Sequence, residues 1–176
     1  FGYDDQGAPY MAMELLRGQD LEQRIRKSPL TLREKLDVVA QACLGMAHAH
    51  EHHIVHRDIK PANIFISESG IAKIMDFGVA RLTQTSQTQT GIVLGTADYM
   101  SPEQMLGRPV DHRSDIFSVG SVAYELLCYQ QAFTGGFNDG LLHRLPHEAP
   151  PALSSLYPGL PPALEQVVMR ALEKAP

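Results

Sequence analysis

Cysteine is scarce in this chain of 176 residues: only Cys43 and Cys128 occur. They allow one disulfide at most, which excludes a small secreted scaffold stapled by several bridges. No apolar run reaches the ~18 residues that a membrane-spanning helix needs. A basic excess is missing too: Lys and Arg total 15 against 20 Asp and Glu, a formal charge of −5. That balance lacks the electrostatic footprint of a nucleic-acid binder. The chain opens Phe1-Gly2-Tyr3-Asp4-Asp5, with neither Met nor a basic start, so no signal peptide is read there. The opening reads as the interior of a longer chain. No internal repeat is found. What is present, 44% hydrophobic and 20% charged residues, is the mixture of a globular domain.

Periodicity predicts a mainly helical body with a few short strands. Pro9 to Met13 reads as a strand, Gly18 as a break, and Asp20 as the cap of a short helix from Leu21 to about Arg26. Thr31-Leu32-Arg33-Glu34 has the spacing of a capping box, so a long helix should start there. Leu32, Leu36, Val39, Cys43, Met46 and Ala47 form its expected buried stripe. After the β-rich pair Ile54-Val55, the runs Ile64–Ile66 and Ile71–Met75, parted by Ser67-Glu68-Ser69-Gly70, predict a β-hairpin. Residues 82–96 are polar and threonine-rich. Ser114 to Leu127 reads as a helix buried on most faces. Residues 134–162, rich in Gly and Pro, read as loop with one short helix near Leu141. Pro161-Pro162 opens a last helix with Leu164, Val167, Val168, Ala171 and Leu172 as its apolar stripe.

The chemistry is concentrated at the two ends of the hairpin. His56-Arg57-Asp58-Ile59-Lys60-Pro61-Ala62-Asn63 precedes its first strand, and Asp76-Phe77-Gly78 follows its second. These stretches supply two carboxylates, a lysine and a carboxamide, the set that phosphoryl transfer requires. Hard oxygens from Asn63 and Asp76 can hold a divalent ion that bridges nucleotide phosphates. Lys60 can face the transferred group, and Asp58 can orient the attacking hydroxyl and accept its proton.

The two stretches resemble the catalytic and metal-binding loops of the eukaryotic-type protein kinases, with the serine/threonine wording at Lys60 and a phrasing similar to bacterial members. The resemblance covers essentially the whole chain. Tyr10 to Leu16 resembles the last small-lobe strand and hinge, Gly95 to Glu103 the substrate-docking end of the activation segment, and Asp115 the aspartate that ties a buried helix to the catalytic loop. It implies an α+β, protein-kinase-like fold: 1–13 as the end of the small lobe, 14–18 as hinge, and 19–176 as large lobe, with activation segment 76–103. It further implies Met13 as gatekeeper, the backbones of Glu14 and Leu16 as adenine partners, and Phe65 as the adenine floor. His56 and Phe77 would belong to a column that marks the active state, and Thr96 would hydrogen-bond Asp58 and Lys60. Arg57 would pair with a phosphate on Thr88 or Thr90. The implied ligands are ATP with Mg²⁺ or Mn²⁺, the implied partners protein substrates, and the implied location the cytoplasm, with any membrane anchor outside this segment.

Blander readings stand beside these. Met13 and Phe65 would be core residues in any case, and the Thr/Ser cluster could be a solvated loop. His48, His50, His52, His53 and His56 crowd together, and His48 with His52 has a spacing that binds zinc. The helix should end near His53, however, and no cysteine or carboxylate completes a tetrahedral set, so structural roles are the expectation. The cysteines are expected to be buried thiols. The glycine-rich loop, strand lysine and helix glutamate of a complete kinase would lie before Phe1, and an arginine partner for Glu103 beyond Pro176. The 176 residues alone are therefore expected to be inactive, with Tyr10 to Met13 an unprotected sheet edge. The alternatives are a pseudokinase scaffold and, more remotely, a small-molecule phosphotransferase.

Overall fold

Local chemistry sets the element boundaries. The computed structural model describes residues 2–10, 12–27, 29–77, 97–134, 140 and 144–174. In order these form β1 (Gly2–Tyr3), β2 (Pro9–Tyr10), β3 (Gly18–Asp20), α1 (Leu21–Lys27), α2 (Leu32–Glu51), β4 (Ile64–Ser67) and β5 (Ala72–Ile74). Then follow α3 (Pro102–Met105), α4 (His112–Cys128), α5 (Leu153–Leu156) and α6 (Pro162–Ala171). The mixed helix and strand content agrees with the α+β expectation. The capping box is present: the Thr31 hydroxyl accepts from the Glu34 amide and the Glu34 carboxylate accepts from the Thr31 amide at 2.7 Å. Asp20 caps α1 by accepting from the Gln23 amide at 2.8 Å.

Two small antiparallel sheets form. β1 pairs with β2, and β3-β4-β5 make a three-stranded sheet with Phe65 opposite both Asp20 and Lys73. The predicted strand Pro9 to Met13 shrinks to Pro9–Tyr10, Met11 lies outside the described residues, and Met13 is 72% exposed rather than core. Residues 18–20, read as a break and a cap, are also an edge strand. Gly18 is required there: its φ is 147°, and a Cβ would sit 2.1 Å from the Ile66 carbonyl oxygen. Ile54 and Val55 form no strand.

The stripe of α2 is rotated from the predicted one. Lys35, Val38, Ala42, Met46 and Ala49 are buried, whereas Leu36, Cys43 and Ala47 are exposed. Lys35 explains the shift. Its ammonium donates to the Leu127 carbonyl at 3.0 Å, at the C-terminal end of α4, and lies 3.9 Å over the Tyr129 ring. A helix C-terminus and an aromatic face both stabilise a cation, so a lysine can occupy a core position. The expectation of buried thiols fails for Cys43, which is exposed, while Cys128 is half-buried.

α4 begins two residues before the predicted Ser114 and is buried on nearly all faces. It is the wall between two apolar clusters. Phe117, Tyr124 and Leu127 face one with Phe133, Leu153 and Leu172; Val119, Val122 and Leu126 face the other with Leu21, Met46 and Ile64. On α6, Val168 is buried but Val167, placed in the predicted stripe, is 66% exposed. The predicted helix near Leu141 falls outside the described residues, and the short α5 lies further along. No helix among the described residues is long and apolar enough to cross a membrane.

The α4–α6 contact yields a stability prediction. A Cβ on Gly120 would stand 2.9 Å from the Ala171 Cβ and 3.3 Å from the Leu172 Cδ2. Gly120→Val overpacks this seam and costs about 2 kcal/mol, a drop in Tm of roughly 4–8 °C by thermal melting. An unchanged Tm would mean that the helices do not approach this closely.

Candidate active site

Asp115, in the first turn of α4, has no exposed surface, and such a carboxylate must be met by donors. It has three. The His56 amide donates to Oδ2 at 2.9 Å, the Arg57 amide to Oδ1 at 2.7 Å, and His50 Nε2 lies 2.8 Å from Oδ2. The buried helix thus fixes the segment that precedes Asp58, as the motif at Asp115 led one to expect.

The loop then closes on itself. A 3₁₀ turn at Pro61–Asn63 brings the Asn63 carboxamide back to Asp58, where Nδ2 donates to the backbone carbonyl at 2.7 Å and to Oδ2 at 2.9 Å. The Lys60 ammonium reaches the same Oδ2 at 3.0 Å. Both amide protons of Asn63 are spent, so its Oδ1 is the hard oxygen left over. The other hairpin end is stitched to this loop through backbone: the Met75 amide donates to the Asn63 carbonyl at 2.9 Å, and His56 Nε2 bonds the Met75 carbonyl at 2.7 Å. The Asp58 amide donates to His56 Nδ1 at 3.2 Å, so Nε2 is the donor to Met75 and His56 bridges the two loops. Its ring packs edge-to-face with that of Phe77, the centroids 4.8 Å apart.

Asp76 follows Met75 directly, with an exposed carboxylate that makes no hydrogen bond among the described residues. Asp76 and Arg57 have left-handed backbones, φ 60° and 70°, which non-glycine residues adopt only where their surroundings enforce it. The Asn63 Oδ1 and the Asp76 carboxylate are the hard-oxygen donors that suit a divalent cation such as Mg²⁺. Among the described residues no group of three or more His, Cys, Asp or Glu is placed to hold a metal ion. His52 instead uses Nδ1 on the His48 carbonyl at 2.8 Å.

The residues expected to receive the adenine are less gathered. Met13 and Glu14 are exposed and Leu16 is half-buried, as is Phe65 on β4. Glu14 is tied to the sheet by a residue the sequence reading missed: Lys73 Nζ lies 2.6 and 2.8 Å from its two carboxylate oxygens. Lys73 stands opposite Phe65, so Glu14 is fastened to β5 beside Phe65. A cavity of about 540 Å³ lies behind Phe77, between α2 and β5; His48, His52 and Lys73 line it, and Asp58 and Asn63 do not. Thr88, Thr90, Thr96 and Gly78 lie outside the described residues.

Between the catalytic-loop residues and α4, Tyr99 donates to the Glu125 carboxylate on α4, and burial pushes both the phenol and this carboxyl up from their ordinary values. Glu103 accepts from the Ser114 hydroxyl. Gln104 donates from Nε2 to the Arg57 carbonyl at 2.6 Å. These links span 11 to 47 residues, and no local pattern announces them.

Residues 2–150 match the family model of the protein kinase domain. Among curated proteins, the chain is 41% identical over 172 residues to the serine/threonine-protein kinase PknB of Mycolicibacterium smegmatis, covering 96% of this chain and 28% of that protein. It is 41% identical over 177 residues to the serine/threonine-protein kinase Pkn1 of Myxococcus xanthus, covering 96% and 25%. To the probable serine/threonine-protein kinase PknB of Lactococcus lactis it is 38% identical over 167 residues, covering 94% and 27%. The chain thus spans about a quarter of the length of these relatives. Because one family model runs from residue 2 to residue 150, through the hairpin and the buried helix together, these 176 residues belong to the protein kinase family.

Proposed function

We propose that the protein containing these residues is a serine/threonine kinase that transfers the γ-phosphoryl group of ATP to hydroxyls of protein substrates. The observation that carries the reading is the shared oxygen of Asp58. Oδ2 takes the bonds from Asn63 and Lys60, which orients the carboxylate and leaves Oδ1 for an incoming hydroxyl. Asp58 aligns that hydroxyl and accepts its proton as the phosphoryl group departs. Lys60 supplies positive charge beside the transferred group. Asn63 and Asp76 would hold Mg²⁺, which when bound bridges the phosphates and offsets their charge. Met13, the backbones of Glu14 and Leu16, and Phe65 would receive the adenine, with Lys73 holding Glu14 in register. ATP is a cytoplasmic nucleotide, so the domain is proposed to work on the cytoplasmic side of any membrane.

The test is direct. Full-length protein incubated with ATP and Mg²⁺ is expected to yield phosphoserine or phosphothreonine on itself or on an added protein. Nucleotide binding without transfer would overturn the reading in favour of a pseudokinase scaffold.

Arg57 makes no ion pair among the described residues, although both polar groups of its backbone are bonded. That is the condition of a cation awaiting a phosphate, and Thr88 and Thr90 are the proposed acceptors, with Thr96 proposed to bond Asp58 and Lys60. Replacing Thr88 and Thr90 together with Ala should lower kcat about tenfold in full-length protein. A double variant with unaltered kcat would remove these threonines from regulation.

A further inference from the structure

Arg57 is one of the described residues whose backbone needs support. Its φ of 70° is an unfavourable conformation for a side chain with a Cβ, and it immediately precedes Asp58. The Asp115 carboxylate meets its N–H at 2.7 Å, and Gln104 Nε2 meets its C=O at 2.6 Å. One support comes from α4 and the other from α3, at the end of the segment that resembles the substrate-docking region.

The orientation of the Gln104 carboxamide is not ambiguous. Its Oε1 accepts from the Ser101 amide at 3.1 Å and from the Ser101 hydroxyl at 3.2 Å, and the Ser101 hydroxyl accepts from the Gln104 amide at 3.4 Å. These bonds close the capping box of α3 and demand an acceptor on that side. The Arg57 carbonyl demands a donor on the other. Only a carboxamide satisfies both, since the glutamate that serves equally well in a capping box would turn a second acceptor toward the Arg57 oxygen.

We propose that Gln104 is a positioning residue for phosphoryl transfer, clamping the Arg57 carbonyl so that the Asp58 carboxylate is presented in its working orientation. The inference rests on the kinase reading above. It couples the docking segment to the catalytic loop through a single side chain: whatever seats α3 also seats the peptide before Asp58. Gln104 touches neither nucleotide nor transferred group in this scheme, and acts only through Arg57.

Gln104→Glu separates the two duties of the side chain. It keeps the cap and loses the clamp, whereas Gln104→Ala loses both. In full-length protein, Gln104→Glu should lower kcat about tenfold or more, with KM for ATP unchanged and a Tm close to that of the parent. Hydrogen–deuterium exchange should speed up in residues 56–60 while α3 keeps its protection. Gln104→Ala should lose kcat and also some Tm. Gln104→Glu with parental kcat and parental exchange in residues 56–60 would overturn the proposal. So would a loss of kcat that arises only with a fall in Tm as large as that of Gln104→Ala. Should the unaltered protein transfer no phosphate, the functional reading fails by itself, and the exchange comparison still decides whether Gln104 clamps the loop.

Discussion

Asp58→Asn in the full-length protein should reduce kcat at least about a hundredfold and leave Tm within about 2 °C of the parent. The substitution is nearly isosteric. A carboxamide oxygen at the Oδ2 position still accepts from Asn63 Nδ2 and Lys60 Nζ, now at 2.9 and 3.0 Å, so the loop keeps its internal bonds. What disappears is the proton acceptor at the other position, replaced by an amide that can only donate. Nucleotide affinity should persist, because the proposed adenine contacts and the Asn63 and Asp76 oxygens are untouched. Activity assays with parallel nucleotide titration and thermal melting check all three parts. Turnover near the parental value would remove Asp58 from the chemistry.

The second large effect concerns Asp115. Asp115→Ala strips the acceptor from His50, His56 and Arg57 at once, at a site with no solvent to replace it. Removing one side of a buried, multiply bonded group costs about 3–5 kcal/mol, or roughly 6–20 °C in Tm. Asp115→Asn is the informative companion. It restores the volume and one acceptor but aims an N–H at a backbone N–H, so it should recover part of the Tm while kcat stays depressed. Full recovery of kcat by Asp115→Asn would show that the carboxylate merely fills space. Thermal melting and turnover on the same samples separate these outcomes.

The sequence made the hairpin, the long helix and the residues at the hairpin ends readable because each is written locally. Thr31 and Glu34 announce a helix start by spacing alone, and Asp58, Asn63 and Asp76 lie within one short stretch. The third strand was hidden for the opposite reason. Gly18, Gln19 and Asp20 have little preference for a strand; they form one because β4 offers an open edge, and Gly18 alone lets the backbones meet. The stripe of α2 was misread because a lysine counts as solvent-facing until the Leu127 carbonyl and the Tyr129 ring are seen around it. Gln104 and Lys73 were missed because their partners, Arg57 and Glu14, are remote in the chain, and only folding brings them together.

The two left-handed residues beside the hairpin, Arg57 and Asp76, set stability against use. Glycine would relax either backbone, so selection for heat tolerance alone would favour it. At Arg57 glycine would erase the cation, and at Asp76 the carboxylate proposed as a metal ligand. Carrying both side chains is thus a thermodynamic handicap, which a glycine at either position would remove together with the group it presents.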